Sequence, residues 1–250
     1  MGNTLIALIM TVGALSSDPP AAVAAGDDAF ERIDYSAAAV SYGEALQNDT
    51  LNPDILWRLA RLYVCMAETE TADSQLASLR TAERFARTCI RVAPDRAEGH
   101  TWLAGALGYL ALGSDATDQL KISWELLHEV DSAIAIDSND DAAYSIKGSF
   151  YRALGNIGWL KKGLASVFIG KVPDGGFPDA EQALKRAAGI APEVMRHPYE
   201  LGILYLDMGR EEEAARWLER AAALPVRVAI DRPRLEKIRE LLSHLRKAPN

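Results

Sequence analysis

The residue types that carry acid, base, nucleophile or metal chemistry are sparse in this chain and never gather at a working spacing. The four histidines, His100, His128, His197 and His244, are scattered and never stand four apart, the spacing that puts two imidazoles on one helix face for a metal. Two cysteines, Cys65 and Cys89, are too few for a disulfide scaffold or a Cys-based zinc site. No HExxH, GxSxG, CxxC or glycine-rich phosphate loop occurs, and Ser138–Asp141 lacks calcium-loop spacing, so no catalytic residue, cofactor or metal is expected. What remains is recognition chemistry: Trp57, Arg61, Tyr109, Ser145, Arg152 and Tyr199, with Trp159 and Lys162 in a separate stretch. Arginine forks suit carboxylates and other anionic groups, while tryptophan and tyrosine combine a large apolar ring with a polar edge.

Those side chains need elements to position them. The chain has 250 residues, 49% hydrophobic and 25% charged, an ordinary globular composition that disfavours disorder and fibres. With 27 basic and 35 acidic residues its net charge is −8, which argues against general nucleic-acid binding. The apolar run Leu5–Leu15 is too short for a confident membrane span and fits the hydrophobic region of an export signal. Residues 1–25 are therefore expected to be a leader, cut after Ala24 or Ala25, with Pro19 and Pro20 breaking its helix. Its start lacks Lys or Arg, and an uncleaved anchor is the alternative; export would place the protein in the periplasm, retention in a membrane or the cytoplasm.

From residue 26 to 230 the apolar residues recur at three and four, and strand-like alternation is missing. The spacing also repeats along the chain. Leu201-Gly202, Tyr205, Gly209, Ala214, Leu218 and Ala221 fill slots 7, 8, 11, 15, 20, 24 and 27 of a tetratricopeptide (TPR) repeat. Ala180, Leu184, Ala187 and Pro192 hold slots 20, 24, 27 and 32, as do Ala82, Ala86, Cys89 and Pro94; Ala38, Tyr42 and Ala45 match the first three. Leu56, Leu59-Ala60 and Tyr63 fit a first helix, as do Tyr144, Lys147-Gly148 and Tyr151. Small residues at slots 8, 20 and 27 allow close helix approach, and proline at 32 stops the second helix. The predicted fold is all-α: a solenoid of antiparallel helix pairs.

Two insertions stretch the period, near 67–78 and 155–177; the first is polar and lengthens a hairpin. The second carries Trp159, Leu160, Leu164, Val167 and Phe168 beside Lys161 and Lys162. It reads as an extra helix packed on the solenoid, a plug for its concavity or a membrane-interface contact. Residues 231–250 form a capping helix and tail, with Asp231 as N-cap and an apolar stripe through Leu235, Ile238, Leu241, Leu242 and Leu245. From Arg227 to Lys247 the net charge is +4, which leaves −12 on the remainder of a chain totalling −8.

The phrase Leu56-Trp57-Arg58-Leu59-Ala60-Arg61, the Ala82–Pro94 helix, the Asp131–Asp137 helix end and the insertion with Trp159, Lys162, Leu164, Ala165 and Phe168 resemble the regulator of microtubule dynamics family. The resemblance covers Asp27 to Leu242. It implies an α-solenoid without catalytic activity; eukaryotic members are linked to microtubules and, when membrane-anchored, to organelle contact and phospholipid binding. The Ala/Arg-rich, Lys-poor composition looks bacterial, which makes the tubulin role the least portable.

In a TPR array, first-helix slots 2, 5, 9, 12 and 13 line the concave face. Here they give Trp57, Arg61 and Val64, then Thr101, Gly105, Gly108 and Tyr109, then Ser145, Ser149 and Arg152, then Tyr199, Ile203 and Leu206. That lining suits a protein or peptide partner, or an amphipathic lipid-like ligand with an anionic head. The competing reading is that Trp57 and Tyr109 pack against neighbouring helices while the arginines pair with local carboxylates. Cys89 in slot 27 is expected to be a buried small hydrophobe, and a Cys65–Cys89 disulfide is open.

Overall fold

In the computed structural model, residues 19–157 and 170–247 are described, and among them every regular element is a helix. Five antiparallel pairs follow one another. They are α1 (Pro19–Glu31) with α2 (Tyr35–Asn48), α3 (Pro53–Ala67) with α4 (Ala72–Val92), and α5 (Ala97–Leu112) with α6 (Ala116–Ile136). Then come α7 (Asp141–Asn156) with α8 (Phe177–Ile190), and α9 (Arg196–Asp207) with α10 (Glu211–Ala222). A final helix, α11 (Asp231–Lys247), packs on α10 and α9. First helices stack in series, α3 on α5 on α7 on α9, which generates a solenoid with each repeat resting on its neighbours.

The helix ends are chemically marked. Asn52, Asp115 and Asp140 cap α3, α6 and α7 by accepting backbone N–H bonds, from Asp54, from Thr117 and Asp118, and from Ala143. Each satisfies donors that a helix start leaves unpaired. The repeat slots hold as buried positions: Ala38, Ala82, Ala180 and Ala214 in slot 20, and Ala45, Cys89, Ala187 and Ala221 in slot 27. In slot 8, a Cβ added to Gly148 would lie 2.5 Å from Leu184 Cγ, and one added to Gly202 would lie 2.6 Å from Leu218 Cγ. Glycine there lets the two helices of a pair close onto a leucine.

The same geometry reappears at the front of the chain. A Cβ on Gly26 would sit 2.4 Å from the Tyr42 ring, so Gly26 holds slot 8 of a first repeat whose first helix is α1. Ala22, Ala29 and Phe30 of that helix are buried with Tyr42, Leu59 and Leu62. The boundary drawn after residue 25 thus falls inside α1, and Pro19 and Pro20 stand in its first turn, where proline is tolerated. The 67–78 insertion is mostly helix: only residues 68–71 separate α3 from the 21-residue α4. Asp231 starts α11, but its carboxylate turns back to accept from Arg227 N and Val228 N, tightening the preceding turn.

Candidate functional site

A cavity of about 610 Å³ opens among the first helices of the solenoid, beside α6. Its apolar wall is built by Val64 of α3, Trp102 of α5, Leu126 of α6, and Ile146, Phe150 and Leu154 of α7. Small residues of α5, Gly105 and Gly108, leave the space that larger side chains would fill. Polar groups edge it: Tyr109, Ser149, Arg152, Arg196 and Glu200.

The electrostatics of this edge centre on Glu68, which follows α3 and has a side chain only 5% exposed. Tyr109 Oη donates to Glu68 Oε1 at 2.6 Å, Arg234 Nη2 donates to the same oxygen at 3.4 Å, and Arg196 Nη1 lies 3.7 Å from it. Burial and the Glu68 carboxylate push the Tyr109 phenol well above its ordinary range, so it stays a donor. Arg152 donates to Asp207 at 2.9 Å and stands 3.6 Å from Glu200. Several buried atoms at this edge have no hydrogen-bond partner: Ser149 Oγ, Arg152 Nε, Arg196 Nε and Glu200 Oε2. Buried donors without acceptors cost stability, and a ligand offering acceptor oxygens would satisfy them.

The residues picked from the sequence do not all meet in one place. Tyr109 and Arg152 come together on the cavity wall, with Val64, Gly105, Gly108 and Ser149. Trp57 and Arg61 sit instead at the junction of α1, α2 and α3. The Arg61 guanidinium stacks 3.9 Å from the Phe30 ring and lies 3.7 Å from Asp27, while Arg58 and Arg61 both lie over Trp57. Asp27 also accepts from Tyr42 Oη at 2.6 Å and Arg58 Nε at 2.9 Å; against its partial burial, these bonds hold its carboxyl below the usual range. Ser145 is fully buried, its hydroxyl unpartnered. Tyr199 is half-buried, its ring 6.0 Å from the Arg234 guanidinium. Trp159 and Lys162 lie outside the described residues.

Two contributors escaped the sequence reading. Arg196 occupies slot 2 of the last repeat, so the slot rule names it. Glu68 has no such signal, because its partners lie 41 to 166 residues away in sequence. Cys65 and Cys89 are both free and buried; burial, reinforced by Glu68, pushes the Cys65 thiol up to about 12, and burial pushes Cys89 up to about 11. Among the described residues no three His, Cys, Asp or Glu side chains gather to hold a metal, and no helix is long and apolar enough to cross a membrane.

Comparison with known proteins agrees with this architecture. A thermophilic TPR protein from Thermus thermophilus superposes with a TM-score of 0.67 at 18% identity, covering 92% of this chain and all of that one. Regulator of microtubule dynamics protein 3 from Xenopus laevis is 27% identical over 191 residues, 76% of this chain and 41% of the relative. Regulator of microtubule dynamics protein 2 from Mus musculus is 21% identical over 196 residues, 78% of this chain and 48% of the relative. The chain therefore spans less than half the length of either relative. The family model for regulator of microtubule dynamics protein 1-3 matches residues 24–246, from α1 through nearly all of α11, and on that match the chain belongs to the regulator of microtubule dynamics family.

Proposed function

We propose that this chain is a non-enzymatic scaffold that holds a segment of a protein partner against its concave face, with an apolar side chain of that segment in the cavity. The observation that carries the reading is the cavity itself: an apolar wall from α5, α6 and α7, edged by buried donors on Ser149, Arg152 and Arg196 that lack acceptors. A peptide supplies both complements, an apolar anchor and carbonyl or carboxylate oxygens. Membership of a TPR-fold family supports an interaction role. The test is selection from a displayed peptide library. Enriched peptides should share an apolar residue beside an acidic one, and Ile146→Trp, which fills the cavity, should weaken their binding at least tenfold. Equal binding to the filled variant defeats the assignment. Tubulin belongs among the partners assayed, since the relatives are named for microtubule dynamics.

A second reading, a carrier of a compact apolar molecule with an anionic head, draws on one further contact. The segment entering α11 lies against α2 and α3, which narrows the concave face for an extended chain. Solvent extraction of the purified protein followed by mass spectrometry separates the two: a stoichiometric amphiphile supports the carrier. We also propose export on the strength of Leu5–Leu15. N-terminal sequencing of the mature protein tests it, and a cut after Ala24 would remove the front of α1, including Ala22.

A further inference from the structure

Most tertiary contacts in this chain join helices adjacent in a pair or in the stack, yet the segment leading into α11 reaches back to the first two repeats. Ala229 N donates to Tyr35 Oη at 3.0 Å across 194 residues, and Val228 packs on the N-terminal core. One helical turn further on, Arg234 Nη2 meets Glu68 at 3.4 Å across 166 residues. Asp231 stiffens the approach: its Oδ2 accepts from Arg227 N and Val228 N, and its Oδ1 accepts from Arg234 Nη1 at 2.9 Å. Glu68 then joins this segment to the cavity, because it also faces Tyr109 and Arg196, both on the cavity wall.

We propose that residues 227–234 are a clasp that closes the solenoid between its first and last repeats and controls access to the inner cavity. Among the described residues the attachment is small: the Ala229–Tyr35 hydrogen bond, the long Arg234–Glu68 contact and Val228, set against hairpin interfaces packed along whole helices. Helix pairs pack mainly on their neighbours in the stack, with the Arg196–Glu68 pair beside the clasp as an exception, so releasing the clasp leaves every helix pair intact. That makes clasp opening a sub-global event, accessible well below the free energy of unfolding. The control of access rests on the cavity reading above; the clasp does not.

Spin labels on Arg32→Cys and Arg232→Cys measure the gap directly, since both positions are exposed and the native cysteines are buried. The otherwise native chain should give one narrow distance distribution. Adding Tyr35→Phe, which keeps the ring stacked on Phe30, together with Glu68→Gln should broaden and lengthen it. The Ala229 amide should also exchange its hydrogen at least tenfold faster in Tyr35→Phe alone. Stopped-flow binding of 1-anilinonaphthalene-8-sulfonate, with Ile146→Trp as the filled-cavity control, should be at least fivefold faster in the released double variant. Distances and exchange that the substitutions leave unchanged overturn the clasp. A broadened distribution with an unchanged binding rate overturns its control of access. Dye that binds the filled variant equally well counts against the cavity reading, while the distance measurement still decides the clasp. Unchanged far-UV circular dichroism confirms that the variants remain folded.

Discussion

The α7–α8 and α9–α10 pairs and the α3–α4 and α5–α6 pairs solve one packing problem with opposite volumes. In the later pairs slot 8 is glycine, Gly148 or Gly202, and slot 24 is leucine, Leu184 or Leu218. In the earlier two, slot 8 is alanine, Ala60 or Ala104, and slot 24 is the smaller Ala86 or Val130. The α1–α2 pair goes furthest, with Gly26 beneath the whole ring of Tyr42. What the pairs share is an inverse relation across the two helices: where slot 8 gives up its Cβ, slot 24 holds the larger side chain. Interiors are packed densely enough that adding one methyl on one side calls for removing one on the other.

The largest break in that balance is Leu184→Ala. Leu184 is fully buried, and with Gly148 opposite nothing can collapse into the hole, so the loss should fall in the range of about 2–5 kcal/mol. Urea denaturation gives the number, as a lower midpoint at unchanged slope. Gly148→Ala comes next, at about 1–3 kcal/mol, because its Cβ meets the branch point of Leu184, which cannot swing aside as a chain end would. The double variant sharpens the comparison. Removing the leucine removes the clash, so the pair should cost clearly less than the sum of the singles. Additive losses would mean that the two slots do not share one volume.

The α5–α6 pair differs in a second way. His100 Nδ1 lies 2.6 Å from Glu129 Oε2, and His100 Nε2 lies 3.0 Å from Pro94 O, so both ring nitrogens face acceptors. Only the imidazolium can donate to both. The Glu129 hydrogen bond, with help from the Pro94 carbonyl and against the cost of burial, raises the His100 pKa above its usual value. A pKa raised on folding contributes stability that is fully present below the unfolded value of about 6.5 and is lost as pH rises through the folded value. Thermal melts should therefore fall with pH above about 6.5. The loss should be of the order of one hydrogen bond, about 0.5–1.5 kcal/mol. His100→Gln should flatten that dependence; an unchanged slope would place its source elsewhere.

The same contrast explains what could be read from the chain alone. Slots 8, 20, 24 and 27 are periodic, so Ala82, Ala180, Leu184 and Leu218 announce both helices of a pair and their facing sides. The polar edge of the cavity is only half periodic: Tyr109, Ser149, Arg152 and Arg196 sit on concave slots and are legible. Glu68 is not, since it follows α3 and gains its meaning from residues up to 166 positions away. Arg61 is placed away from the cavity for a related reason. Its slot points inward, but the added first helix α1 brings Asp27 and Phe30 to meet it. Gly26 and Tyr42 carried the evidence for that helix, hidden by an apolar run just upstream that resembles a leader.

The finest probe of volume compensation is Ala60→Gly. Slot 24 of the second repeat is Ala86, so a glycine at the buried Ala60 gains no close approach to a leucine there and loses its buried methyl as well as helix preference, the latter about 0.5–1 kcal/mol. Ala86→Leu alone should overfill the same interface. If the repeats are interchangeable in the sense argued above, Ala60→Gly combined with Ala86→Leu recreates the Gly148–Leu184 arrangement and should recover most of the stability that Ala86→Leu removes. A failure to recover would show that the first helices of the α3–α4 and α7–α8 pairs are held at different distances by their neighbours in the stack. Volume would then follow the spacing of the superhelix, not set it.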